Sequence, residues 1–229
     1  MRRSQLLKIL AEGISAVKRA HPTRVAIDGV DASGKTTLAD ELVHPLQQRG
    51  ADVIRASIDG FHNPRAIRYR QGTDSPQGYY QDSFNLETLK LRLLEPLGPG
   101  GSLRYQSQVF DLHRERALES PIRQARKDSI LLFDGIFLMR PELRGCWDFR
   151  IFIEVEFEVV IERVKSRDQE LFGTPEQVHQ RYIQRYIPAQ RAYLQSCQPK
   201  ELADVIVDNN DVHNPQIRTP LSPDLTPQR

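Results

Sequence analysis

The run Gly29-Val30-Asp31-Ala32-Ser33-Gly34-Lys35-Thr36 fits the pattern GxxxxGK[ST] without a mismatch. Its surroundings constrain the fold as much as the motif does. Arg24 to Asp28 before it reads as a short strand, and 34–48 reads as a helix closed near Gly50. A glycine-rich loop between a strand and a helix turns its backbone N–H groups inward and places a helix N-terminus behind them, which is an anion cradle. The ligand expected there is the phosphate chain of ATP or another nucleoside triphosphate. Gly29, Asp31, Ala32, Ser33, Gly34, Lys35, Thr36 and Thr37 would surround it. Lys35 would reach the β- and γ-phosphates from a surface loop, and the Thr36 hydroxyl would sit on Mg²⁺.

Periodicity extends this to the whole chain. Leu6, Leu7, Ile9, Leu10, Ile14 and Val17 recur at helical spacing, so 4–20 reads as an amphipathic helix ended by His21-Pro22. Further strands are expected at 52–58, 129–133, 149–155 and 203–208, and further helices at 85–94, 157–168 and 175–195. Strands alternating with helices give an α/β fold of three layers, a parallel central sheet with helices on both faces. The 229 residues suit one domain, expected over 1–211. Within it, 1–22 is an N-terminal helix, 60–127 an acceptor-binding insert and 163–185 a lid region. Residues 60–82 show no period and are expected to be an irregular, functional segment. Residues 212–229 carry four prolines and read as a loose tail.

Composition narrows the class of function. A net charge of +2 asks for no nucleic-acid partner. No apolar run approaches the roughly 20 residues of a membrane span. Cys146 and Cys197 lack metal-site spacing and read as reduced thiols in a cytoplasmic protein. A homo-oligomer is compatible with all of this.

Two acids stand where chemistry would need them. In an open parallel sheet ligands bind at the C-terminal ends of the strands. Asp59 ends the second predicted strand, where a carboxylate can accept the proton of an attacking hydroxyl; the competing role is a helix N-cap. Asp134 ends the apolar strand Ser129–Phe133, the form of a segment that holds Mg²⁺ beside Thr36. No [NT]KxD element for guanine is present, which argues against a GTPase.

At this point the chain resembles the uridine kinase branch of the P-loop kinases, relatives of phosphoribulokinase and bacterial pantothenate kinase. The resemblance rests on Val25–Thr37, Asp59-Gly60-Phe61-His62, Tyr79–Phe84, Phe110-Asp111, Phe133-Asp134-Gly135, Glu162–Asp168, Tyr186–Pro188 and Ala203–Val207. It implies phosphorylation of a nucleoside 5′-hydroxyl, with Asp59 as catalytic base, Asp82 on the ribose hydroxyls and His113 on the base edge. Phe110 stands where the family usually has Tyr. The segment Asp59–Pro64 leans toward pantothenate kinase. An acceptor pocket is expected between Asp59, the segment 62–84 with His62 and Tyr80, and Phe110–His113; Asp82 has the competing role of capping the helix near Asn85.

Arg163 and Arg167 share one face of the helix 157–168 and are expected over the triphosphate. The family's Arg-Gly-Arg-Asp is missing, and Leu171-Phe172-Gly173-Thr174 stands in its place. Arg181 and Arg185 are candidates to complete the lid from the next helix. The leading hypothesis is a small-molecule kinase acting on a nucleoside, with pantothenate or a sugar as alternatives. The rival from another class is a nucleotide-binding regulator without turnover.

Overall fold

The central strand β1 (Thr23–Gly29) is buried along its whole length in a computed structural model that describes residues 1–218. Around it lie β2 (Val53–Ser57), β3 (Ile130–Asp134), β4 (Phe149–Glu154), β5 (Val205–Asp208) and β6 (Gln216–Ile217). The order across the sheet is β6-β5-β4-β1-β3-β2. The first five strands run parallel and only β6 is antiparallel. The register sets the working edge: Asp134 lies beside Ile27 of β1 and beside Ser57 of β2. The ends of these three strands therefore deliver the phosphate loop, the Asp59 turn and Asp134 to one edge.

Two apolar layers cover the sheet. On one face α1 (Arg3–Ala16) and α2 (Lys35–Gln47) bury Leu6, Leu10, Leu38 and Leu42 against Ile27 and Ile151. On the other, Phe61, Leu93, Phe133, Trp147 and Tyr193 form a second core. Strands covered on both faces read as continuous apolar runs, so the sequence shows them clearly. Helix α1 stops at Ala16 rather than 20 because Val17 is already extended, at ψ 118°.

Three expectations change. The segment 60–82 is not irregular throughout. It contains a 3₁₀ turn at Ile58–Phe61, a helical turn at Arg65–Arg68 and the helix α3 (Pro76–Asp82). Ser75 caps α3 by accepting from the Gly78 N–H at 3.0 Å, and Pro76 occupies its first turn, where its missing N–H costs nothing. The helix expected at 175–195 is α5 (Pro175–Arg181), a π-turn at Tyr182–Tyr186 and α6 (Ile187–Cys197), following α4 (Phe157–Arg167). Pro188 has no N–H to continue the α-helical ladder into that turn. Of the loose tail expected over 212–229, Gln216 and Ile217 instead pair with Asp208 and Val207; 219–229 lie outside the described residues.

The acceptor-side segment is held down by one buried guanidinium. Arg185, from the π-turn, is 2% exposed. It donates to the carbonyls of Arg68, Gly72, Thr73 and Ser75 at 3.0–3.2 Å. Tyr69 stacks on it, with Cζ 4.8 Å from the ring centre. Arg181, one turn earlier, pairs with Asp74 at 2.7 Å. A loop with so little apolar content needs such a clamp to stay ordered. Arg185→Met should therefore lower the unfolding free energy by about 2–3 kcal/mol, since several carbonyls lose their donor. Urea denaturation measures this, and a midpoint equal to that of the parent protein contradicts the clamp.

Candidate active site

The phosphate loop takes its shape from backbone conformations that few side chains tolerate. Gly34 caps α2 at φ 92°, and a Cβ there would come within 2.8 Å of Asn209 Nδ2. Ala32 also has positive φ, 52°. The loop is braced from the sheet side. Asn209, just past β5, donates to the Ser33 carbonyl at 2.8 Å. Arg163 donates to the Ala32 carbonyl at 3.0 Å and to the carbonyls of Asn209 and Asn210 at 2.7 and 3.0 Å. Arg163 thus ties the loop to the end of β5, and its guanidinium is already engaged by carbonyls.

Lys35 does not project from a surface loop as expected. It is 8% exposed, and its Nζ donates to the Val30 carbonyl at 2.6 Å. Burial pulls its ammonium below the ordinary lysine value, while Asp31, Asp28 and Asp134 oppose that shift. Asp31 is half-buried, and desolvation pushes its carboxyl up against the pull of Lys35 and Arg167. Gln190 of α6 grips Asp31 twice, by its carbonyl on the backbone N–H at 2.8 Å and by its amide on Oδ2 at 2.9 Å. Three residues along the same helix, the Tyr193 hydroxyl donates to Asp28, whose other oxygen accepts the Gly29 N–H at 2.8 Å. Desolvation raises the Asp28 carboxyl to about 6.

The Thr36 hydroxyl donates to Asp134 Oδ2 at 2.6 Å. Asp134 Oδ1 accepts no hydrogen bond although it is buried, and the Arg55 Nη2 lies 2.7 Å from it as a counter-charge. A hydroxyl touching a carboxylate that keeps one unbonded oxygen is a donor set that fits Mg²⁺, a hard cation with oxygen ligands. Thr36, Thr37, Gly34, Lys35, Arg163 and Arg167 line a cleft of about 410 Å³ in front of the loop. Arg167 is held at its edge by Asp168, at 2.6 and 2.9 Å, and by the Tyr182 hydroxyl at 3.2 Å.

Asp59 sits in the 3₁₀ turn after β2. The cap of that turn is Ser57, whose hydroxyl accepts the Asp59 N–H at 3.4 Å, so the cap role considered for Asp59 falls to its neighbour. Its own side chain is 69% exposed and borders a cavity of about 660 Å³. Arg55, Gln108, Phe110 and His113 line the same cavity. Phe110 is placed by a two-residue pairing with Ala117. His113 is turned by its N–H on Asp111 Oδ1 at 3.1 Å.

Other expected acceptor residues lie elsewhere. His62 packs tilted against Phe84, ring centres 4.6 Å apart, and its Nδ1 meets the Asp59 carbonyl at 3.0 Å. It supports the Asp59 turn rather than lining the cavity, and burial lowers its pKa. Tyr80 turns into the second core, under Arg140 and 5.0 Å from the Phe137 ring. Asp82 is 2% exposed, and its oxygens are taken by Arg70 and by Gln71 at 2.7 Å. It has no oxygen free for a ribose diol, and it caps nothing at Asn85, which caps its own helix by accepting the Thr88 N–H at 2.9 Å. Arg181 and Arg185 face the acceptor segment, not the phosphates. Sequence reasoning missed Arg55, Gln190 and Asn209, and it placed Tyr79 with the acceptor segment rather than on Asp31. Only Arg55 carried a signal, a charge among apolar residues in the middle of β2.

Comparison with known proteins agrees with this architecture. The chain is 28% identical over 149 residues to uridine-cytidine kinase B of Dictyostelium discoideum, covering 65% of this chain and 59% of that one. It therefore spans less than two thirds of that kinase's length. It is 25% identical over 191 residues to the uridine kinase of Geobacillus sp. strain WCH70, covering 81% and 85%. Among solved structures, a possible uridine kinase from Bacillus stearothermophilus superimposes with a TM-score of 0.71 at 24% identity, covering 89% of this chain and 97% of that one; at that identity it shows the fold. The model of the Phosphoribulokinase / Uridine kinase family matches residues 25–214, so the chain belongs to that family.

Proposed function

We propose that this chain transfers the γ-phosphoryl group of ATP to a hydroxyl of a small molecule, and that the acceptor is a nucleoside phosphorylated at its 5′-hydroxyl. One observation carries the reading: Asp59, a carboxylate free of any hydrogen bond from its neighbours, borders a large cavity on the sheet edge that also bears the phosphate loop and Asp134. A receptor that only binds nucleotide needs no such group.

In this reading each residue has one task. The loop N–H groups and Lys35 hold the β- and γ-phosphates. Lys35 leaves the Val30 carbonyl to do so, a short swing for a side chain already pointing across the loop. Thr36 and Asp134 hold Mg²⁺, which when bound draws charge from the phosphate oxygens. Arg167 neutralises charge at the transferring group. Asp59 orients the attacking hydroxyl and accepts its proton. A carboxylate is a weak base, but a loose transition state releases that proton late, so orientation matters more than basicity.

Two observations favour a second acceptor class, pantothenate or a sugar. Asp82 is engaged by Arg70 and Gln71, which removes the contact that a ribose diol would use. Phe110 supplies no hydroxyl to a base edge. The Geobacillus and Dictyostelium relatives bear the names of nucleoside kinases, which keeps the nucleoside first. A coupled ADP-release assay against nucleosides, pantothenate and sugars decides between them. Turnover is expected with uridine or cytidine, and turnover with pantothenate alone replaces the nucleoside.

With the acceptor in hand, Asp59→Asn should lower kcat by about 10²-fold or more, the scale of a positioned base. Triphosphate affinity should hold, because the loop makes that site; its collapse with kcat preserved would mean that Asp59 serves the fold. Lys35→Ala should reduce transfer to background. Its thermal midpoint should fall modestly, because Asp28 and Asp31 lose their buried counter-charge. Near-normal turnover in this variant would rule out the phosphate role.

A further inference from the structure

Two substrates must meet at Asp59, and one side chain spans the distance between their sites. Tyr79 belongs to α3, within the acceptor segment, yet its hydroxyl donates to Asp31 of the phosphate loop, 3.2 and 3.4 Å from the two carboxylate oxygens. Among the described residues this is the only hydrogen-bonded link between 62–84 and 29–37. The ring is held edge-on by Tyr186, centres 4.6 Å apart, and by Phe137 at 5.5 Å. The far end of α3 is tied to the turn that carries Asp59. The Asn63 N–H donates to the Ser83 carbonyl at 2.9 Å, and the Asn85 N–H donates to the Phe61 carbonyl at 2.8 Å.

We propose that Tyr79 is a positioning residue that carries occupancy of the phosphate loop to the acceptor segment, so that bound triphosphate sets the Asp59 turn in place. The proposal rests on the phosphoryl-transfer reading and adds a coupling between its two sites. The physical cause is the position of Asp31. A polyphosphate entering the loop brings negative charge beside a half-buried carboxylate, where the effective dielectric is below that of water. The ionised carboxylate then depends more strongly on its side-chain donors, Tyr79 and Gln190. Gln190 grips Asp31 at two points from a long helix and has little room to adjust. Tyr79 makes the longer bond and stands on a seven-residue helix. Shortening that bond pulls α3 toward the loop and, through Ser83 and Asn85, draws in the turn at Ile58–Phe61. By linkage the acceptor must favour the triphosphate by the same factor.

Hydrogen exchange on the full chain tests this without knowing the acceptor, using the non-hydrolysable analogue AMP-PNP with Mg²⁺ as the probe. In the parent protein AMP-PNP should slow exchange both at 29–37 and at 58–85, the latter by about 5-fold or more. Tyr79→Phe removes one hydroxyl and should keep the protection at 29–37 while losing it at 58–85, with an unchanged thermal midpoint. Asp31→Asn, which keeps the shape and removes the charge, should lose it in the same way. Equal protection of 58–85 in Tyr79→Phe and parent overturns the proposal while leaving the kinase reading intact. Absence of protection at 29–37 in the parent overturns both.

Discussion

A buried ammonium organises this molecule. Lys35 lies at the first turn of α2, with its charge withdrawn from water and favoured by the carboxylates of Asp31, Asp28, Asp134 and Asp59. Burying one charge alone is costly, and burying several is tolerable only when they are paired and hydrogen-bonded. The surrounding structure supplies that pairing. Asp28 is satisfied by Tyr193 and Gly29, Asp31 by Gln190 and Tyr79, and Asp134 by Thr36 and Arg55. The partners come from β1, β2, α2, α3 and α6, so the loop takes its shape only with the sheet, α3 and α6 assembled around it.

The same logic explains why function concentrates at one sheet edge. Parallel strands in matching register end together, and the side chains just beyond them must find polar partners or water. Here β1, β2 and β3 end in Gly29, Ser57 and Asp134. The loop, the Asp59 turn and the candidate metal ligand follow directly from those ends. Asp59 alone among these acids is left facing an open cavity, with no donor from its neighbours.

Much of this was legible in the residues. The glycine-rich loop between a strand and a helix, the strand ending in Asp134 and the alternation of strands and helices are local patterns, written in consecutive residues, and the structure contains them. The acceptor side was not legible, for a physical reason. Asp82 looks like a free carboxylate in sequence, and only the approach of Arg70 and Gln71 in space occupies it. Tyr80 and His62 sit beside functional residues in sequence, but α3 and the Phe84 pairing turn them away from the cavity. Arg185 reads in sequence as a candidate for the lid, yet it is enclosed away from the phosphates, because the carbonyls it meets come from a segment more than a hundred residues earlier. Partners of this kind leave no periodic trace.

The π-turn at Tyr182–Tyr186 has a consequence for how such a chain can vary. A π-turn holds one more residue than an α-helical turn, and each residue of helix is worth a rotation of about 100°. Gln190 and Tyr193 face the phosphate loop only because that extra residue has already rotated α6 relative to α5. Deleting Ile183 or Gln184, both exposed, would remove that extra residue while keeping the buried Tyr182, Arg185 and Tyr186. It would also turn both side chains off Asp31 and Asp28. Length therefore matters in this stretch as well as the identity of Arg185.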